Sequence, residues 1–91
     1  MQTHQFTSEF LSICEDIVNH NLSIQEWSSI ESDDQFQSAS YAGGFDATEC
    51  AFTFSYYDPS MTEYWFQLTM DEIKQVCQGS IKQVTLRLAE K

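Results

Sequence analysis

The run from Thr48 to Leu68 constrains the fold more than any other part of this 91-residue chain. From Cys50, the residues Cys50, Phe52, Phe54 and Tyr56 alternate with Ala51, Thr53, Ser55 and Tyr57. That two-residue period belongs to a strand buried on one side. Asp58-Pro59-Ser60-Met61 supplies a turn, after which Tyr64, Phe66 and Leu68 alternate with Glu63, Trp65 and Gln67. Strands so close in sequence pair as a hairpin, and placing both apolar sets on one face requires partner numbers with an even sum. Pairing Phe54 with Phe66 leaves Pro59-Ser60-Met61 as a three-residue loop. It also sets Tyr57 opposite Glu63 and Ser55 opposite Trp65 on the other face. A bulge of one residue would exchange the two faces.

Two amphipathic helices flank this hairpin. The first opens at Thr7 or Ser8 with Glu9 in its first turn, and carries Phe10, Ile13, Cys14, Ile17 and Val18 on one stripe. Asn19-His20-Asn21 ends it, because Asn tolerates a left-handed cap. His20 reads as a cap or surface residue, and His4 falls in a frayed tail. The second helix starts at the capping box Thr69-Met70-Asp71-Glu72, presents Met70, Ile73, Val76 and Cys77, and stops at Gly79. Leu22 to Ile30 reads as a strand in which Trp27 falls out of phase, with a bulge near Glu26 to restore register. Glu31-Ser32-Asp33-Asp34 is a polar turn. A weak strand from Phe36 to Ala42 suits an edge, and Gly43-Gly44 links it to the hairpin. The last strand, Ile81 to Leu88, places Val84, Leu86 and Leu88 inward and Gln83, Thr85 and Arg87 outward. The resulting order α-β-β-β-β-α-β predicts one domain over residues 1–91. Its fold class is α+β, two-layered, a mostly antiparallel sheet of about five strands with two helices. Thirteen Phe, Tyr and Trp residues supply a core for a domain of this size without a metal or disulfides.

The net charge of −10 is unevenly distributed. Residues 1–73 hold thirteen carboxylates and no Lys or Arg, whereas Lys74, Lys82, Arg87 and Lys91 all follow. Such a surface repels nucleic acid and anionic membrane and attracts basic protein surfaces. Cys14, Cys50 and Cys77 form no C-x-x-C pair and occupy apolar positions, which predicts buried, reduced thiols and a cytoplasmic setting. No secretory signal or membrane-spanning run is visible.

Catalytic chemistry finds little support. The acid pairs Glu15-Asp16, Asp33-Asp34 and Asp71-Glu72 each read as a wet helix face, a turn or a cap, and neighbouring residues point in different directions. Cys14 sits on the core stripe with His20 beyond the helix end, so no thiol–imidazole pair forms. No residues have the spacing of a zinc or calcium site, and Gly43-Gly44 is not a phosphate loop. The expectation is therefore no enzyme, no cofactor and no metal.

Recognition remains. Tyr57 and Trp65 on the non-core face, with Glu26, Glu31, Asp33, Asp34, Asp46, Glu49 and Glu63, make up the candidate protein-binding set: aromatic anchors steered by carboxylates. In composition alone, the chain resembles small acidic inhibitors, immunity proteins of the bacteriocin type and nucleic-acid mimics. That resemblance carries no motif and transfers no residues. The leading expectation is an acidic inhibitor or immunity-type protein that blocks a basic partner, such as a nuclease or nucleic-acid-binding complex, by presenting carboxylates where phosphates would sit. The alternative is a structural or assembly module that forms a homodimer or larger complex through an exposed sheet edge or the hairpin face.

Overall fold

The central hairpin forms with the register its alternation demands. In the computed structural model, which describes residues 2–30 and 36–89, β4 (Ala51–Tyr57) pairs with β5 (Glu63–Leu68) antiparallel. Phe54 lies opposite Phe66, Ser55 opposite Trp65 and Tyr57 opposite Glu63. Phe52, Phe54, Phe66 and Leu68 are buried on one face. The remaining elements are β1 (Gln2–Gln5), α1 (Ser8–Asn19), α2 (Ile24–Ser28), β2 (Phe36–Gln37), β3 (Tyr41–Asp46), α3 (Met70–Gln78) and β6 (Gln83–Leu88). The six strands make one antiparallel sheet in the order β1-β6-β5-β4-β3-β2, and with its three helices the protein is α+β.

The two long helices follow their sequence signals closely. Thr7 Oγ1 accepts from the Phe10 N–H at 3.3 Å, and α1 buries Phe10, Ile13, Cys14 and Ile17. His20 is its C-cap and Asn21 takes a left-handed φ of 53°. The His20 Nδ1–H donates to the Asp16 carbonyl at 2.6 Å. Both halves of the capping box at Thr69 and Glu72 are made, and Gly79 closes α3 at φ 81°. Phe10 of α1 meets Phe54 and Phe66 edge-on, at 5.0 and 5.4 Å between ring centroids. Ile73 and Val76 of α3 join the same cluster, so the core is a single layer between helices and sheet.

Several expectations change. Leu22 to Ile30 is not a strand: Ser23 Oγ caps α2 by accepting from the Glu26 N–H at 3.2 Å. Glu26 therefore sits in a helix and not at a bulge. Trp27, out of phase as a strand residue, is only 2 % exposed and packs edge-on against Phe52 at 5.2 Å. The S-x-x-E spacing at 23–26 is the signal for this helix. The single strand expected over Phe36 to Ala42 is two: the short edge strand β2 and the interior strand β3, which meet at a turn where the Ser38 N–H donates to the Tyr41 carbonyl at 2.8 Å. Gly43 and Gly44 are buried inside β3 and link nothing. A Cβ at Gly43 would stand 2.3 Å from the Thr53 carbonyl oxygen and 2.9 Å from the Phe54 ring, so only glycine lets the aromatic lie there.

The N-terminal segment is a strand, not a tail. β1 pairs with β6 through Gln2↔Leu86, Thr3↔Thr85, His4↔Val84 and Gln5↔Gln83. His4 packs against Tyr56 of β4 at 4.2 Å between centroids, the rings tilted by 34°, and its Nε2 lies 2.5 Å from the Tyr41 hydroxyl. Three flat inter-strand steps would separate β1 from β4 by about 14 Å. The sheet therefore curls, bringing β1 over the core. Burial lowers the pKa of His4 from its ordinary 6.5 and raises that of Tyr41. β6 joins β5 by only two residue pairs, Tyr64↔Leu88 and Trp65↔Arg87. That strand starts at Gln83, later than expected, and Leu88 at its end is 61 % exposed in place of the inward position its parity implied.

Of the three cysteines, only Cys14 is buried. Desolvation raises its thiol pKa to about 12. Cys50 is an exposed turn residue with φ 52°, before β4 begins, and Cys77 is exposed on α3. The expectation of three buried thiols fails at these two.

Candidate protein-binding face

The sheet has one face without helices, because the buried side chains of α1, α2 and α3 all join the core on the other. By register, this open face carries Ala42, Gly44 and Asp46 from β3, Thr53, Ser55 and Tyr57 from β4, and Glu63, Trp65 and Gln67 from β5. Gln83, Thr85 and Arg87 of β6 continue it. Cross-strand bonds order the polar residues: Ser55 Oγ donates to Glu63 Oε2 and Gln67 Nε2 donates to Thr53 Oγ1, both at 3.1 Å. The half-buried Trp65 ring is covered by the Arg87 guanidinium at 5.1 Å from its centroid. This cation–π contact holds a cation beside the aromatic anchor. Trp65, Gln67, Thr85 and Arg87 rim an open cleft of about 450 Å³ where β5 and β6 diverge.

The candidate residues do not form one patch. Tyr57, Glu63 and Trp65 come together at the β4–β5 end of the open face. Asp46 and Glu49 lie at the opposite end of β4, where Asp46 Oδ1 accepts from the Thr48 and Glu49 N–H groups at 2.9 and 3.3 Å. Asp46 is thus engaged in shaping its turn. Glu26 belongs to α2 and is exposed in the helical layer. Glu31, Asp33 and Asp34 lie outside the described residues. The charge over the Trp65 ring is that of Arg87, so the carboxylates share this end of the face with a cation.

Other carboxylates also serve the fold. Asp58 Oδ1 accepts from the Ser60 and Thr62 N–H groups at 2.9 Å each. Glu9 accepts from the Ser38 hydroxyl and from the Ser40 N–H at 2.9 Å, and these bonds lower its pKa. Among the described residues no carboxylate is paired with a Lys or Arg, so the negative charge is not neutralised internally. Glu15, Asp16, Glu49 and Asp71 are exposed. No group of three or more His, Cys, Asp or Glu among the described residues is placed to share a metal ion. No helix among them is long and apolar enough to cross a membrane.

Comparison of the chain with protein-family models, with curated proteins and with solved structures returned no match.

Sequence reasoning missed the polar network of His4, Thr7, Glu9, Ser38, Ser40 and Tyr41. Tyr41 Oη bridges His4 Nε2 and Thr7 Oγ1, the latter at 3.2 Å. The only sequence signal for it is Thr7 as a helix cap. The pairing of Arg87 with Trp65 was half visible, because the alternation in β6 already pointed Arg87 outward.

Proposed function

We propose that this protein is a small acidic inhibitor or immunity-type protein, acting in the cytoplasm, that binds a basic and nucleic-acid-handling partner by presenting carboxylates where phosphates would sit. The observation that carries this reading is charge segregation: thirteen carboxylates and no Lys or Arg over residues 1–73. With no cation engaging the described carboxylates, their field reaches outward. Tyr57 and Trp65 supply half-buried aromatic area on a helix-free face, and Glu63 between them is held by Ser55. Arg87 makes the rim beside Trp65 mixed in sign, so the partner's complementary patch has a carboxylate or polar group there. The protein performs no chemistry of its own, binds no nucleic acid or membrane directly, and needs no cofactor.

The test is to immobilise the full chain, recover basic proteins from the host lysate, and measure each binding constant against salt and against competing duplex DNA. The reading expects affinity to fall steeply with ionic strength and DNA to displace the chain. Binding indifferent to salt, or unaffected by DNA, overturns it.

A further inference from the structure

We propose that β1 is a self-docking edge, through which two copies of this chain join antiparallel about a two-fold axis at His4, extending the sheet across both. The Phe6 N–H donates to the Lys82 carbonyl at 3.2 Å, continuing the register His4↔Val84 and Gln2↔Leu86. In an antiparallel ladder the bonded pairs alternate, so residues 2, 4 and 6 spend their backbone groups on β6. Those of Thr3 and Gln5 point away from the sheet, where no described residue meets them. Gln2, Thr3 and Gln5 are exposed. β1 also lacks the usual protection of an edge: residues 2–5 include no proline, lysine or carboxylate, and their register has no bulge. The opposite edge, β2, is only two residues long.

A second copy is the occupant that fits. Thr3 and Gln5 are placed symmetrically about His4, so an antiparallel copy offers each donor an acceptor: Thr3 exchanges both bonds with Gln5 of the second copy, and Gln5 with its Thr3. The segment 2–8 holds no carboxylate, and Lys82 stands at its end. The edge itself therefore adds no carboxylate to the repulsion between two −10 bodies. Four backbone hydrogen bonds with little apolar burial make a weak dimer.

The test is sedimentation of the full chain from about 10 µM to about 1 mM, in low and high salt. Salt screens the repulsion between the acidic bodies, so the dimer is expected to tighten at least about tenfold between about 0.05 and 0.5 M NaCl. That is opposite in sign to binding of a basic partner, so the two proposals fail separately. Thr3→Pro removes an N–H that the monomer does not use, at a position where an edge strand tolerates proline. It should weaken the dimer at least about tenfold while leaving thermal unfolding at low concentration unchanged. Gln5→Pro repeats the test should Thr3→Pro disturb folding. Independently of any variant, the amide resonances of Thr3 and Gln5 in the parent chain should shift with concentration. A chain that stays monomeric throughout, a dimer that weakens with salt, or proline variants that dimerise like the parent overturn the proposal.

Discussion

Replacing Met61 by glycine should stabilise this protein. The β4–β5 loop is closed by the Met61 N–H donating to the Asp58 carbonyl at 2.8 Å and the Asp58 N–H donating to the Thr62 carbonyl at 3.2 Å. Between these bonds the chain must turn left-handed once, and Met61 does so at φ 65°. That position in a three-residue hairpin loop usually goes to glycine. An L side chain in this region costs roughly 1–2 kcal/mol, while glycine loses about 0.5–1 kcal/mol more backbone entropy on folding. Met61 is 77 % exposed, so its removal forfeits little burial. The net gain expected is about 0.5–1 kcal/mol, or a rise in Tm of roughly 2–8 °C for a domain of this size. Paired urea and thermal unfolding curves would measure it. Met61→Ala is the control, because it trims the side chain but keeps the Cβ, and should gain nothing. If glycine is no more stable than alanine, backbone strain at Met61 is not the reason, and the reasoning is refuted.

Three further perturbations test the packing and the titrating groups. Gly43→Ala drives a Cβ into the Thr53 carbonyl and the Phe54 ring, and should destabilise by about 1–3 kcal/mol or more, read as a lower urea midpoint. The folded pKa of His4 lies below its ordinary 6.5, so the unfolded chain binds the extra proton. Its contribution to stability is whole above pH 6.5 and shrinks as pH falls below that value. The difference in unfolding free energy between the parent and His4→Gln, measured from pH 7.5 to 5, should narrow on the acid side; a constant difference would contradict the burial of a neutral imidazole. An uncharged thiol reagent at neutral pH should modify the exposed Cys50 and Cys77 promptly and Cys14 only on unfolding, counted by mass spectrometry.

Local periodicity made the core hairpin legible to the residue, since burying Phe52, Phe54, Phe66 and Leu68 together requires an even sum and the three-residue loop selects 54 with 66. The caps at Thr69 and Gly79 were equally plain and that of α1 was narrowed to Thr7 or Ser8, because each involves neighbours within four residues. What stayed hidden depends on distant partners. Trp27 looked like an imperfect strand residue because a five-residue helix is too short to show a period, leaving Ser23 and Glu26 as its sole marks. Gly43 reads as a breaker until Phe54 is seen lying against it. His4 has no local reason to be ordered; its place is set by β6 and by the Tyr41 hydroxyl, 37 residues away in sequence. At the candidate site, alternation sufficed to put Tyr57, Glu63 and Trp65 on one face. It could not reveal that Arg87 covers the Trp65 ring, or that Asp46 and Asp58 are occupied with their own turns.

The pairing of β1 with β6 also governs the order in which this molecule comes into being. β1 is made before every other described strand, and its partner follows about eighty residues later in the chain. Throughout synthesis, Phe6, Phe10 and the inner rings of the hairpin must wait without the ribbon that finally closes over them, the kind of long-range closure that slows folding. The thirteen carboxylates between Glu9 and Glu72 give such half-made chains a mutual repulsion until β6 is added.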